Sequence, residues 1–304
     1  MDKLFRRVEH TIYNKNINDD IRIAAISDIH YSDIVNLTAL SNILLKVESL
    51  KPDYISIVGD LIDSTSVLDD KRLRDNITRF IKSLAKIAPV IISIGNHDFT
   101  SKKDGEWIYS WNEDFWNQIA AIKNVVVVNN STFEDDKILM SGYTQPFDYY
   151  FKDKRGYLEA MIEDLKNEKE ELLNPNSSLP KICLVHSPYR LMSPIITKYF
   201  KNYDIILSGH MHQGMVPPII DDLIPGNKGL IAPSKFLFPN NARGTIQKEN
   251  GQYIIISGGI TKIGEESPKI LHIGNIFYPM SIEDITLTND EDKKTYQKKI
   301  KYEK

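Results

Sequence analysis

Short apolar runs rich in β-branched residues recur along the chain, and each run ends at polar or glycine positions. Runs of this length with such boundaries are typical of buried strands. The pattern predicts strands over residues 21–26, 54–58, 90–94, 125–128, 138–140, 182–185, 204–207 and 253–256.

Helical periodicity separates several of these strands. The first two helical patterns each place four apolar residues on one face, as expected for helices that cover a core. The predicted helices cover residues 37–50, 73–87, 158–173 and 190–200. Strands that alternate with helices indicate an α/β layered domain.

The composition is that of a globular protein. Of the 304 residues, 41% are hydrophobic and 26% are charged, which excludes a disordered or low-complexity chain. The single cysteine, Cys183, excludes an internal disulfide framework. The net charge of −3 gives no global basic field, so nucleic acid is not an expected partner.

The sequence also bears on location and domain organisation. The N-terminus turns polar at once, and no apolar window reaches about 18 residues, so we expect neither a signal peptide nor a membrane span. The expected location is the cytoplasm. Because no repeat or linker divides the chain, we expect one domain over residues 1–288 and a frayed polar tail over 289–304.

Residue types that bind divalent metals directly follow five of the predicted strands. Five of the seven histidines lie in these positions. In open α/β sheets, ligands bind beyond the carboxyl ends of the strands, which predicts a shared site. The blocks are Asp28-Ile29-His30, Gly59-Asp60-Leu61-Ile62-Asp63, Gly95-Asn96-His97-Asp98, His186 and Gly209-His210-Met211-His212.

The spacing within the blocks suits a cluster of ligands. In Asp28-x-His30 and His210-x-His212 the side chains of alternate residues would point the same way on an extended chain, so both would reach one site. A glycine before Asp60, Asn96 and His210 allows a tight turn over the sheet edge.

The five blocks, in this order, resemble the pattern of the calcineurin-like metallophosphoesterases: Asp-x-His, Gly-Asp-x-x-Asp, Gly-Asn-His-Asp/Glu, His and Gly-His-x-His. The resemblance runs from about Ile21 to His212 and is greatest to the phosphodiesterase-like branch. Ser64 stands where the protein phosphatases of the family have arginine, and Asp63 stands where the purple acid phosphatases have tyrosine.

The resemblance implies a four-layer α/β/β/α sandwich with two central mixed β-sheets. It also implies two divalent cations, and ligands of these types suit Mn, Fe, Zn or Co without distinguishing among them. The implied ligands are Asp28, His30 and His212 for the first cation, Asn96, His186 and His210 for the second, and Asp60 as a bridge between both.

The activity implied by the resemblance is hydrolysis of a phosphodiester, phosphomonoester or pyrophosphate bond in a small phosphorylated substrate. The cations would activate a bridging water as the nucleophile. His97 would assist the leaving group, and the Asp63 carboxylate would orient His97.

Three alternatives stay open. A protein of this fold without catalysis would be a scaffold for protein interaction, although His97 and the expected ligands are all present. The apolar, proline-bearing segment 215–238 would contact a membrane surface if the substrate were a lipid phosphate. The aromatic segments 99–119 and 143–157 would either pack in the core or form a lid over the substrate, with the three tryptophans on one helical face or its edge.

Overall fold

The computed structural model describes residues 5–32, 37–151, 156–233, 236–260 and 279–303. Its first sheet has seven strands, which include a run of four neighbours paired in parallel. The order across this sheet is β15 (Gln297–Glu303), β1 (Phe5–Tyr13), β14 (Met280–Thr288), β2 (Ile21–Ile26), β3 (Tyr54–Val58), β4 (Val90–Ser93) and β7 (Val125–Val128). Because β14 runs antiparallel to β2, the sheet is mixed.

The second sheet has six strands, with parallel pairing in its centre and antiparallel pairing at both edges. Its order is β12 (Gly244–Gln247), β13 (Tyr253–Ile256), β11 (Ile205–Ser208), β10 (Lys181–Val185), β9 (Leu139–Tyr143) and β8 (Ser131–Glu134). A separate hairpin of β5 (Thr100–Lys103) and β6 (Glu106–Tyr109) follows the end of β4.

The α-helices of the described residues connect the strands. They are α1 (Leu37–Leu50), α2 (Lys71–Leu84), α3 (Glu113–Ala120), α4 (Phe147–Phe151), α5 (Gly156–Asn167), α6 (Glu170–Leu173) and α7 (Pro194–Thr197). The start of α2 is fixed by Asp70, whose carboxylate accepts hydrogen bonds from the backbone N–H groups of Arg72 and Leu73.

Three buried apolar clusters show how these elements are layered. Between the sheets, Ile23 and Val58 of the first sheet share a cluster with Leu184 and Leu207 of the second. A second cluster joins α1, α2 and α3 to the outer face of the first sheet. A third joins α5, α6 and α7 to the outer face of the second sheet. The four-layer α/β/β/α fold with two mixed sheets is therefore confirmed.

All of the predicted strands occur, with small shifts at their ends, but three further strands of the first sheet were not predicted. These are β1, β14 and β15, and β15 forms an edge of the sheet where we expected a frayed tail. Buried charges interrupt the apolar pattern of β1 and β14. These side chains are paired across the sheet, since His10 lies 2.8 Å from Glu283 and Arg7 lies 2.6 Å from Asp284.

The predicted helices occur with different boundaries. The pattern over 158–173 is divided into α5 and α6, and the pattern over 190–200 contains α7 followed by a 3₁₀ turn at Lys198–Phe200. The helix predicted over 73–87 ends earlier, at Leu84, and starts at the Asp70 cap. Within the described part of the chain, the helices are too short or too polar to cross a bilayer.

Candidate metal centre

The five predicted blocks follow the carboxyl ends of β2, β3, β4, β10 and β11, and hydrogen bonds join them at one end of the sandwich. Asp28 N–H donates to Gly59 O at 3.1 Å, and His30 N–H donates to Asp60 O at 3.0 Å. Between the two sheets, His186 Nδ1–H donates to Val58 O at 2.8 Å. These bonds hold loops from distant parts of the sequence in a fixed arrangement.

The ligand-bearing loops are not extended, contrary to the reasoning from alternate residues. Asp28, His30, Asp60, His210 and His212 all have positive φ, between 45° and 64°. This left-handed conformation is uncommon for residues other than glycine and is held here by the surrounding structure. The side chains of each pair therefore converge through strained turns of the backbone.

Glycines give the loops room to approach one another. Gly59 has a φ of 72°, and a Cβ there would overlap the His186 ring. Gly95 and Gly209 have ordinary φ values, but a Cβ would overlap the Asp60 carboxylate at Gly95 and the Asp28 carboxylate at Gly209. Glycine is therefore needed at these two positions because a carboxylate packs closely against the backbone, and not because the turn needs a positive φ.

Three groups of side chains bring potential ligand atoms within 4.8 Å of one another, and one of them is His30, Asp60 and His97. The other two are the groups expected from the resemblance. In the first, donor atoms of Asp28, His30 and His212 all lie within 4.8 Å of one another. In the second, the same holds for Asp60, His186 and His210. Together these two groups contain six of the seven ligands that the resemblance implied, all except the amide residue Asn96.

The unsatisfied polar atoms of the site fit bound cations. Four side-chain atoms of the site are buried without a well-aligned hydrogen bond among the described residues, although two of them lie close to the Asp60 carboxylate, and buried polar atoms are normally paired. They are His30 Nε2, Asn96 Oδ1, His186 Nε2 and His212 Nδ1. Imidazole nitrogen with amide and carboxylate oxygen is a donor set for divalent transition metals.

The electrostatics of the site also suit cations. Burial opposes ionisation of Asp60, but His186, His97 and His30 hold its pKa well below the ordinary value. Burial lowers the pKa of His212 to about 4, against the attraction of Asp28. For His186, burial acts downward, but Asp60 and Asp28 raise the pKa to about 9. Metal binding would therefore displace a proton from His186.

A family model described as calcineurin-like phosphoesterase matches residues 21–214. The chain belongs to this family. The resemblance read from the sequence blocks is thus confirmed, and the match includes every loop of the candidate metal centre.

Individual relatives of this chain are distant. An "uncharacterized metallophosphoesterase" of Helicobacter pylori is 22% identical over 216 residues, which are 69% of this chain and 49% of the relative. The "transmembrane protein with metallophosphoesterase domain" of Danio rerio is 25% identical over 66% of this chain and 42% of its own length. The chain spans about half the length of the curated relatives that it matches.

Among solved structures, a dimetal phosphatase from Danio rerio aligns with a TM-score of 0.44 and 12% sequence identity. The alignment covers 80% of this chain and 88% of the other.

His97 lies beside the ligand groups around Asp28 and Asp60. Its ring is 4.6 Å from the His30 ring between centroids, and its backbone N–H donates to Asp60 Oδ1 at 2.9 Å. Its Nδ1–H donates to the backbone carbonyl of Asp63 at 2.5 Å, so Nε2 takes no part in this bond. Burial is the main reason that the pKa of His97 is lowered.

The predicted role of Asp63 is corrected in one respect. Asp63 does hold His97, but through its backbone carbonyl rather than its carboxylate. The carboxylate instead lies 3.5 Å from Nδ1 of His30, because the loop after β3 runs beside the loop after β2. Asp63 therefore orients a predicted metal ligand through its side chain and His97 through its backbone.

Asp98 organises the loops beneath the centre. Its carboxylate accepts backbone hydrogen bonds from Leu61 at 2.9 Å, from Ile62 at 3.2 Å and from Gly95 at 2.8 Å. Burial and the nearby Asp60 raise its pKa to about 7. Its role is structural, and its position after His97 in the sequence gives no sign of these partners.

The aromatic segments divide between the core and the site. Trp116 is buried in the core and stacks on Trp111, whereas Trp107 of β6 contacts the His97 ring at 5.1 Å. The three tryptophans therefore do not share a helical face. From α4, Phe151 lies 5.9 Å from Trp107, and Tyr150 lies 5.4 Å from His210. Trp107 and Tyr150 are site neighbours that the sequence did not distinguish from core residues.

Proposed function

We propose that this calcineurin-like phosphoesterase hydrolyses a phosphodiester, phosphomonoester or pyrophosphate bond with two divalent cations. The position of Asp60 carries this proposal. Its Oδ2 lies 3.5 Å from His30 Nε2 and 2.9 Å from His186 Nε2, so one carboxylate adjoins both ligand groups. A shared carboxylate suits two cations that act on the same phosphate.

The residues divide into two ligand sets around this carboxylate. Bound cations would polarise the phosphoryl oxygens and lower the pKa of the attacking water. Because Asp28 and Asp60 supply the carboxylates of the two sets, the loaded site would be net positive and would attract phosphate. The proposed ligands are Asp28, His30, His212 and Asp60 on one side and Asp60, Asn96, His186 and His210 on the other. Manganese, iron, zinc and cobalt all suit these donors.

His97 is proposed to assist the leaving group. The hydrogen bond from Nδ1 to Asp63 O fixes the ring and directs the free Nε2 away from that carbonyl. An anionic phosphate beside the ring would favour its protonated form, because a nearby negative charge stabilises the imidazolium. Nε2–H would then donate its proton to the departing oxygen.

Metal restoration tests the proposal. The protein is stripped of metal, reloaded separately with Mn²⁺, Fe²⁺, Zn²⁺, Co²⁺ or Mg²⁺, and assayed with bis-p-nitrophenyl phosphate and p-nitrophenyl phosphate. We expect metal-dependent turnover that is lost in Asp60→Asn and retained in Asp19→Asn, whose carboxylate is exposed. The ratio of the two rates assigns diester or monoester preference.

The same assay separates the hydrolase from a scaffold. Two metals bound per chain with no turnover of either substrate would contradict the general hydrolase and favour the scaffold. Failure to bind metal at all would contradict the metal centre itself. Metal content is therefore measured on every preparation that is assayed.

A further inference from the structure

Seven of the fourteen large apolar side chains that are exposed in the described part of the chain lie on two segments that follow loops of the candidate metal centre, and three others lie after His186. On the segment after His212, the most exposed are Ile219 at 89%, Leu223 at 75%, Phe238 at 64% and Leu237 at 60%. On the β5–β6 hairpin after His97, Ile108 and Tyr109 are also exposed. Exposed groups of large apolar side chains commonly mark contact surfaces.

Both segments adjoin the candidate metal centre directly. The hairpin places Trp107 5.1 Å from the His97 ring. On the other segment, the backbone N–H groups of Leu230 and Ile231 both donate to Gly214 O, at 2.7 and 3.1 Å. Gly214 is two residues beyond the predicted ligand His212. A surface that contacts both segments would therefore lie beside the candidate metal centre.

The exposed side chains stand on an ordered backbone. Arg243 donates hydrogen bonds to the carbonyls of Lys228 at 2.8 Å, Ile224 at 2.7 Å and Asp221 at 3.2 Å. These bonds fix the 3₁₀ turn Pro218–Leu223, which carries Ile219 and Leu223 four positions apart. Across the segment, Phe238 N–H donates to Leu230 O at 2.9 Å.

We propose that these six side chains form a membrane contact that presents a lipid phosphate to the metal centre. They are Ile108, Tyr109, Ile219, Leu223, Leu237 and Phe238, and they are called the apolar rim below. The proposal rests on the proposed function, since it identifies the substrate class of the same site. It extends the sequence-based expectation for the segment 215–238 to a second segment on the β5–β6 hairpin.

The position of the apolar rim favours a lipid surface over a protein partner. The occupant must accept separate protruding side chains from two segments and must bring a phosphate to the site between them. A phospholipid surface supplies both an apolar interior and phosphate headgroups. Because it is fluid, it can also accommodate apolar side chains that protrude by different amounts. A folded protein seated on both segments would instead cover the entrance to the site.

Vesicle co-sedimentation of the metal-loaded chain tests the contact. The probes are phosphatidylcholine vesicles, alone or with phosphatidylglycerol, at low and high salt. We expect the chain to pellet with both vesicle types and to remain bound at high salt, because burial of apolar side chains is not screened by salt. A chain that stays in the supernatant with every vesicle at low salt would overturn the proposal.

Matched variants locate the contact. Leu237→Ser/Phe238→Ser and Ile219→Ser/Leu223→Ser should each weaken partitioning at least about tenfold, since each removes two exposed apolar side chains. Leu45→Ser on α1, which is exposed to 61%, should partition like the parent. Thermal unfolding and metal content verify that the variants are folded. Rim variants that pellet like the parent would contradict the proposal.

Two further measurements separate a membrane contact from a dimer interface and from a failure of the proposed function. Light scattering measures whether the parent chain is a dimer. A parent that dimerises but does not bind vesicles, with rim variants that are monomers, would assign the surface to a second copy and overturn the membrane contact. Hydrolysis of bis-p-nitrophenyl phosphate by the parent chain, without vesicles, tests the proposed function separately. Turnover without vesicle binding overturns only the membrane contact, whereas vesicle binding without turnover overturns its link to phosphate hydrolysis.

Discussion

The backbone N–H of His210 donates a 2.9 Å hydrogen bond to Oδ1 of Asp28, although 182 positions separate the two residues. Asp28 follows a strand of the first sheet and His210 follows a strand of the second. One carboxylate thus joins the two sheets at the metal centre while it also belongs to the first ligand group.

These two roles of Asp28 can be separated by substitution. Asp28→Asn keeps an oxygen that can accept from His210, so the metal-free protein should lose less than about 1 kcal/mol of unfolding free energy. Asp28→Ala leaves the His210 N–H without its acceptor and should cost about 1–3 kcal/mol. Both variants should bind less metal, because both lose the charged ligand. Urea unfolding and metal content measure the two effects.

An exposed carboxylate is the control for Asp28. Asp19→Ala should change neither the unfolding free energy nor the metal content. Equal destabilisation by Asp28→Asn and Asp28→Ala would show that the charge, and not the hydrogen bond to His210, stabilises the junction of the sheets.

His97→Ala should reduce kcat by about 10²–10⁴-fold, the usual contribution of a general acid, while two metals remain bound. The basis is its free Nε2 beside the ligand groups and its Nδ1 bond to Asp63 O. The effect should be smaller for p-nitrophenyl esters than for alkyl esters, since a good leaving group needs less protonation. Loss of a metal from His97→Ala would show instead that His97 is a ligand.

Asp63→Ala should behave differently from His97→Ala. The variant keeps the backbone carbonyl that accepts from His97 but removes the carboxylate 3.5 Å from His30 Nδ1. Loss of a group that orients a metal ligand typically weakens metal affinity by about 10–100-fold. We therefore expect a higher metal requirement with kcat largely restored at saturating metal. Titration of activity with Mn²⁺ measures both quantities.

A persistent loss of kcat at saturating metal would contradict this assignment. It would return the Asp63 carboxylate to the role of positioning His97, as the sequence had predicted. Asp63→Asn, which keeps an oxygen near His30, should need less metal than Asp63→Ala.

Trp107→Ala should lower kcat by about tenfold, less than His97→Ala, because the ring contact limits the orientations of the imidazole. Trp107→Phe should restore most of the activity by keeping an aromatic contact. A shift in the pH dependence of kcat would report an altered environment of His97, which a purely structural role of Trp107 would not produce. Glu106→Ala, at the exposed start of β6, is the control.

Asp284 should stabilise the first sheet in a pH-dependent way. Burial opposes its ionisation, but hydrogen bonds from Arg22 and Arg7 lower its pKa in the folded state. A lowered pKa adds stability above the unfolded value of about 3.9, and that stability is lost as the pH falls through the folded value. Asp284→Asn should therefore cost about 1–3 kcal/mol at neutral pH.

The difference in unfolding free energy between Asp284→Asn and the parent should narrow below about pH 4, where Asp284 of the unfolded parent is protonated, and the folded carboxylate follows at lower pH. Urea unfolding at a series of pH values measures it, with Asp19→Asn as the exposed control. If the difference in unfolding free energy stayed constant down to acid pH, the ion pairs of Asp284 with Arg7 and Arg22 would not be the cause of that difference.

The sequence by itself determined the central strands and the donor residues. Buried parallel strands such as Ile21–Ile26 and Tyr54–Val58 are apolar at all but one position each, Arg22 and Ser56, so the pattern is visible without partners. The polar blocks at their ends, with five of the seven histidines, predicted the metal centre that the fold brings together.

Tertiary structure alone decided the features that depend on partners distant in sequence. The strands β1 and β14 contain charges that become compatible with a sheet only when Arg7 meets Asp284 and His10 meets Glu283. The direction of the Asp63 carboxylate depends on how two loops run beside each other, and so does the left-handed backbone of Asp28. Local pattern carries information on burial, whereas charge pairing and loop paths are set by contacts made only after the chain has folded.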